Sequence, residues 1–392
     1  MIGKDVFSGA GRAGGGDGHF LYLDFLRGCA AIAVVWLHWF VGHDRAAFGM
    51  ATTAVDFFFL LSGFVIAHAC DGRIQTPGGR ADFLLRRAIR LWPVVLVGAT
   101  LGLLRFAAKA AAEGGGLDEL LGEYARTVLL IPHLAGEPFP LNIPYWSLLS
   151  EVAAYVVYCT VLTRRFGNLA CLLLMLAGAA GVLGWAADSV GAAAPGREVS
   201  LLDGASRIAF AFPAGVLLAR CLGGRVLRID SPALAAVLAA GCLGLFALPL
   251  AAVGTSALFL TVVGVFPLLV ALGRGLALEG RWAVAARWFG ELSYPLYAVH
   301  MPTLWVAGFV LKKAWPDLGA GAGPLAFAAC VAVALATLVW VDRPVRRLLG
   351  RKRAALLAER RAVRLRAAGA RRAGPRLSGG RPPAGSPGLR RM

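Results

Sequence analysis

Apolar runs of about twenty residues recur along nearly the whole chain, long enough for each to cross a hydrocarbon core as a helix. Short segments rich in arginine, glycine and proline separate them. About ten spans are predicted, near 20–42, 50–70, 88–108, 142–163, 168–187, 201–220, 232–250, 254–273, 290–311 and 322–342. The expected fold class is all-α, a polytopic membrane helix bundle with no soluble catalytic domain. Residues 1–19 form an N-terminal segment, 20–348 the membrane domain, and 349–392 a basic tail. No cleavable signal peptide is expected. The first 19 residues are glycine-rich and polar, and the run behind them is already long enough to span.

Composition agrees with this pattern. Of 392 residues, 58% are hydrophobic and 16% charged, against about 25% charged in an average soluble domain. The net charge of +18 raises nucleic acid as a partner, but the positions argue against it. Arg73, Arg80, Arg86, Arg87, Arg164, Arg165, Arg220, Arg225, Arg228, Arg274, Arg281 and Arg287 fall in alternate connections, together with the tail. The other connections are poorer in cations: Arg45, then 109–141 with mixed charge, Arg197, and Lys312 with Lys313. That asymmetry places both termini in the cytoplasm. The segment "RKRAALLAERRAVRLRAAGARR" can form a basic helix on anionic lipid, with a disordered stretch expected beyond Pro375. The long connection 109–141 carries prolines and is expected to be partly irregular. The cysteines are odd in number (seven) and form no CxxC pair, so neither a disulfide framework nor a metal site is expected.

Ionisable residues inside spans are costly and therefore informative. The first span, "FLYLDFLRGCAAIAVVWLHWF", contains Asp24, Arg27 and His38. Eleven residues put Arg27 and His38 within roughly 20° of each other on one helix face, roughly 16 Å apart along the axis. A snorkelling arginine and a hydrogen-bonded histidine are the plainer reading of that spacing. Asp56 lies near the start of the second span, where a carboxylate also suits the helix dipole. The third span opens "FLLRRAIRLWP". Arg87 and Arg90 share a face and Arg86 adjoins them, a cluster suited either to phosphate or to membrane anchoring. The fourth opens "YWSLLSEVAAYVVY" with Trp146, Ser147, Glu151 and Tyr155, and Ser147 and Glu151 lie four apart. The ninth, "FGELSYPLYAVHMPTLW", carries Glu291, Ser293, Tyr294, Tyr297 and His300.

Six strings, "LDFLRGCAAIAVVWLH", "VDFFFLLSGFVI", "RRAIRLWP", "WSLLSE", "GELSYPLYAVHMP" and "VDRPVRRLL", together resemble the acyltransferase-3 family of membrane acyltransferases. They stand in that family's order and cover residues 20 to 348. The resemblance implies transfer of an acyl group, often acetyl, from cytoplasmic acyl-CoA to a hydroxyl. Acceptors are typically sugars of O-antigen, exopolysaccharide, peptidoglycan or nodulation factors, and macrolides in some members. It implies a location in the cytoplasmic (inner) membrane. It makes His38 the preferred base, with Asp56 or Glu151 orienting it; which of the two is left open. Arg27, Arg86, Arg87 and Arg90 would meet the phosphates of acyl-CoA. Trp146, Ser147, Tyr294 and His300 would support the site or the acceptor. The pantetheine arm would thread between the cationic tier and the His38 tier. Membrane lipids, a glycan or glycolipid acceptor and a separate extracytoplasmic transfer protein are the expected partners. No metal is expected. A small-molecule transporter is the competing class, since intramembrane charges also mark transport paths. No inverted repeat supports it.

Overall fold

Helix follows helix along the chain because each apolar run must satisfy its own backbone hydrogen bonds once water is excluded. The structure, a computed structural model, describes residues 20–43, 47–113, 116–191, 200–223 and 228–356. Arg45, Arg197, Arg225, the segment 1–19 and the tail beyond residue 356 lie outside the described residues. Among the described residues there is no strand, only one isolated bridge between Ile229 and Leu276.

The principal helices are α1 (Leu21–Val41), α2 (Ala54–Ile74), α3 (Gly79–Glu113), α4 (Leu117–Val128), α5 (Tyr145–Val157), α6 (Gly167–Gly191), α7 (Leu201–Leu222) and α8 (Pro232–Ala247). Then come α9 (Thr255–Leu260), α10 (Phe266–Gly273), α11 (Gly280–Ala314) and α12 (Gly323–Ala336). A π turn, Thr261–Val265, joins α9 to α10 as one span. The all-α membrane bundle is therefore as expected, with a refinement of the count. Eight helices among the described residues are long and apolar enough to cross a membrane. Of the two remaining expected spans, α8 has only 16 residues, about 24 Å against a core of about 30 Å. The other lies on α11, where Glu291, Ser293, Tyr294, Tyr297, His300 and two prolines, Pro295 and Pro302, dilute the apolar stretch. The connection 109–141 is more ordered than its prolines suggest, since it contains α4.

Large apolar side chains face outward, as lipid contact requires. Leu176 on α6 and Phe309 on α11 are 71% and 72% exposed. The interior is held by packing of α2 on α7, α6 on α7 and α1 on α11. Residues up to Val345 form one compact unit. A second begins at Arg346, and its described part, 346–356, is helical.

Two features of α11 position the site. Pro302 lacks the N–H that would reach back to the Ala298 carbonyl, and Asn142 Nδ2 donates to that carbonyl instead, at 2.8 Å. Helix α1 lies parallel to α11 and approaches it closely at two glycines. A Cβ on Gly28 would fall 2.5 Å from Phe289 Cβ, and one on Gly290 would fall 2.7 Å from Asp24 Cβ. Gly290→Val must therefore push the two helices apart. We expect this variant to lose most monodisperse folded protein on size-exclusion chromatography in detergent, whereas Gly72→Ala, with open space around its Cβ position, is recovered normally.

Candidate active site

The α1–α11 seam satisfies the first intramembrane cation. Arg27 Nε donates to Ser293 Oγ at 3.0 Å and Nη2 to the Gly290 carbonyl at 2.6 Å. Asp24 Oδ1 lies 3.1 Å from Nη2, one turn back on α1. Arg27 is therefore pinned by an acid, a carbonyl and a hydroxyl.

Three turns further along the same face, His38 meets His300 of α11. The tautomers follow from their neighbours. The Val34 carbonyl is 2.9 Å from His38 Nδ1 and can only accept, so Nδ1 carries the proton. The Tyr297 carbonyl, 2.6 Å from His300 Nδ1, assigns the His300 proton in the same way. His300 Nε2 is then a lone pair, 3.3 Å from His38 Nδ1. The His38 N–H is shared between a carbonyl and an imidazole. Its Nε2 is left as a lone pair with no protein hydrogen bond among the described residues. His300 is fully buried, and His38 is half-buried.

A cavity of about 130 Å³ runs between α2, α3, α5 and α11. On α2 its lining extends from Val55 to Ile66, about 16 Å of helix. At one end stand Arg87, Arg90 and Tyr155; at the other, Ser147 and Tyr297. Arg87 lies 5.3 Å from the Phe83 ring centroid and 5.5 Å from that of Tyr155. Neither Arg87 nor Arg90 makes a hydrogen bond or ion pair with a described residue, so their donors are available to a ligand. Glu151 lies between the two ends. Its Oε1 accepts from Ser62 Oγ at 2.9 Å and Tyr155 Oη at 2.5 Å, which fixes the carboxylate and leaves Oε2 open. Arg27 also lines the cavity. Three guanidinium groups against Glu151, with Asp24 already spent on Arg27, make this an anion-attracting cavity.

At the far end, the Ser147 and Tyr297 hydroxyls are 2.6 Å apart. The Tyr297 ring centroid is 5.7 Å from that of His300. His38 does not line the cavity; the histidine pair sits one side chain beyond it. Tyr294, also lining it, donates to the Leu91 carbonyl at 2.8 Å and ties α11 to α3.

The sequence left the acid beside His38 open between Asp56 and Glu151. Among the described contacts neither carboxylate reaches His38, whose side-chain partner is His300. Asp56 is fully buried and accepts from Arg207, with Nη2 at 2.7 Å and Nε at 3.0 Å. Arg86 does not line the cavity and instead pairs with Asp82 at 3.2 Å, one turn away. Trp146 also stands outside it, with Arg207 5.3 Å from its ring centroid. Arg207 was not among the residues singled out from the sequence, although an arginine amid the apolar residues of "LLDGASRIAFAFPAGVLLARCL" is the same kind of signal as Arg27. It is fully buried, lies 4.1 Å from the Trp185 ring centroid and donates to the Thr52 carbonyl. Tyr297 was legible only as a residue of the ninth span; its place between cavity and histidines is tertiary.

A helical membrane protein with an anion-attracting cavity leading to a neutral imidazole pair is suited to acyl transfer from an anionic donor. Comparison with known proteins defines the family. The acyltransferase domain profile of the acyltransferase-3 family matches residues 20–341, and the chain belongs to that family. A relative, protein 2 in the picA locus of Rhizobium radiobacter, is 34% identical over 159 residues, which is 36% of this chain and 80% of the relative. No solved structure matches.

The Asp56–Arg207 pair should behave as a coupled unit. Removing one partner of a buried ion pair typically costs about 3–5 kcal/mol, because the other charge stays buried and uncompensated. Arg207→Met alone is expected to lower the melting temperature in detergent sharply. The double variant Asp56→Asn, Arg207→Met should recover part of the loss. Additive losses would show that the pair is not coupled.

Proposed function

We propose that this protein is a membrane O-acyltransferase that moves an acyl group, acetyl in the simplest case, from cytoplasmic acyl-CoA to a sugar hydroxyl of a cell-surface glycan. The observation that carries this reading is the cavity. It has unpaired Arg87 and Arg90 at one end and, just beyond the other, an imidazole with a free lone pair. In this proposal the positive-inside asymmetry sets the orientation, with both termini in the cytoplasm of a cytoplasmic (inner) membrane. Arg87 and Arg90 then open toward the cytosol, where coenzyme A resides. Planar guanidinium groups donate paired hydrogen bonds to phosphate oxygens. Arg27, whose donors are already used by Asp24, Gly290 and Ser293, sets the electrostatics of the cavity and holds α1 to α11.

The pantetheine arm extends along α2 past Glu151, whose open Oε2 accepts from amide N–H groups. The thioester arrives near Ser147 and Tyr297. The acceptor hydroxyl gives its proton to His38 Nε2, and its oxygen attacks the thioester carbonyl. The C–S bond breaks, an ester forms, and His38 returns the proton to the departing thiolate. His300 acts through His38: its lone pair, with the Val34 carbonyl, holds His38 Nδ1–H in place and favours the imidazolium that forms transiently. This is the orienting role an acid fills in a triad. Acetyl as the acyl group, a glycan as acceptor and a separate extracytoplasmic transfer protein follow from the family resemblance, not from this geometry.

The two ends of the cavity should separate kinetically. With labelled acetyl-CoA and membranes holding the native glycan, His38→Ala is expected to lower kcat by about 10²–10⁴-fold, the usual contribution of a general base. Its KM for the donor should hardly move. Arg87→Ala with Arg90→Ala should raise the donor KM tenfold or more, about 1.4 kcal/mol per decade, with the smaller effect on kcat. Wild-type turnover in His38→Ala removes His38 from the mechanism. An unchanged KM in the arginine variant makes that cluster an anchor only.

A further inference from the structure

We propose that Arg105, at the opposite end of α3 from Arg87 and Arg90, is a binding site for the phosphate group of a membrane lipid, separate from the cavity. Arg105 follows Arg90 by 15 residues, about 22 Å along the helix axis. Its guanidinium carbon lies 4.3 Å from the ring centroid of Trp305 on α11 and 4.6 Å from that of Phe106. The two rings meet edge to face, with centroids 6.0 Å apart and planes at 89°. They form an aromatic corner against which the cation sits. Contact with ring faces leaves the N–H donors of the guanidinium without a hydrogen-bond acceptor.

Among the described residues no carboxylate, carbonyl or hydroxyl accepts from those donors. Other arginines in the bundle are treated differently. Arg27 is taken up by Asp24, Gly290 and Ser293, and Arg220 by Asp71, Asn168 and the Leu162 carbonyl. A guanidinium beside hydrocarbon needs an acceptor, and no described residue supplies one to Arg105.

The surroundings indicate which acceptor is at hand. Helices α3 and α11 run parallel, since Leu91 meets Tyr294 and Arg105 meets Trp305 further along. One turn beyond Trp305 on the same face comes Phe309, 72% exposed, and then exposed Lys312. An outward aromatic pair followed by a lysine is the sequence of a helix leaving the acyl chains for the headgroups. The anion present at that depth is the phosphodiester, and a guanidinium matches two of its oxygens at once. The inference does not depend on the acyl-transfer reading.

The test is native mass spectrometry of the full-length protein in detergent, titrated with dioleoyl phosphatidylglycerol and, in parallel, with phosphate-free dioleoylglycerol. Wild type is expected to prefer the phospholipid for its tightest-bound lipid. Arg105→Ala should weaken that binding about tenfold, the scale of one lost charge-assisted contact. Arg105→Lys keeps the charge without the planar fork and should recover only part; it also serves if the alanine variant does not fold. Trp305→Leu alters no charge and should weaken the phospholipid as Arg105→Ala does, with dioleoylglycerol unaffected throughout. Competition by millimolar inorganic phosphate would extend the site to free phosphate, and its absence would confine the site to lipid; either result keeps a phosphate site at Arg105. Equal affinity of wild type for the two lipids overturns the proposal. So does unchanged phospholipid binding in Arg105→Ala, or in Trp305→Leu where binding then follows net charge alone.

Discussion

A charged or hydrogen-bonding group carried into hydrocarbon must find its partner on a neighbouring helix, because no water can replace one. In this bundle that constraint is met first between α1 and α11. Arg27 requires the Gly290 carbonyl and Ser293; His38 requires His300. Both demands are met only if the two helices lie parallel and close, and Gly28 with Gly290 permits the approach. The same pairing brings Tyr297 to the end of the cavity and the histidines just behind it. Packing, polar satisfaction and the geometry of the site are therefore consequences of one seam.

The contrast between satisfied and unsatisfied cations separates structure from function here. Arg27, Arg207 and Arg220 each have acidic partners and carbonyls around them. Arg27 ties α1 to α11, and Arg207 and Arg220 both tie α7 to α2. Among the described residues Arg87 and Arg90 have no such partner, and they line the cavity. In the proposed mechanism these two arginines are the ones that meet the phosphates of the donor. Glu151 shows the same division within one side chain: Oε1 is fixed by Ser62 and Tyr155, and Oε2 is open.

Local features of the fold were legible from the sequence. Apolar length marked most of the spans, and helical spacing put Arg27 and His38 on one face of α1. The Asp82–Arg86 pair was also readable, since four residues bring its members together; the arginine cluster could have been divided on that ground. Tertiary features were not legible. Asp56 finds Arg207 across 151 residues and His38 finds His300 across 262. Nothing in either local string specifies such a partner. Spacing alone left the group orienting His38 open between two acids; the helix that lies against α1 supplies an imidazole instead. The length of α8 and the polarity of α11 explain why two of the expected spans were less plain than the rest.

The proposed acyl-transfer path runs from Arg87 and Arg90 to His38. The measurement that tests it most directly is a cryo-electron microscopy structure of the full-length protein with a non-transferable thioether analogue of acetyl-CoA. The account predicts phosphates against Arg87 and Arg90, the arm beside Glu151, and the acyl carbon next to Tyr297. An acceptor oxygen could then stand about 3–3.5 Å from that carbon while in reach of His38 Nε2. Phosphates bound elsewhere, or an acyl end that stops at Tyr155 and never approaches Tyr297, would contradict it.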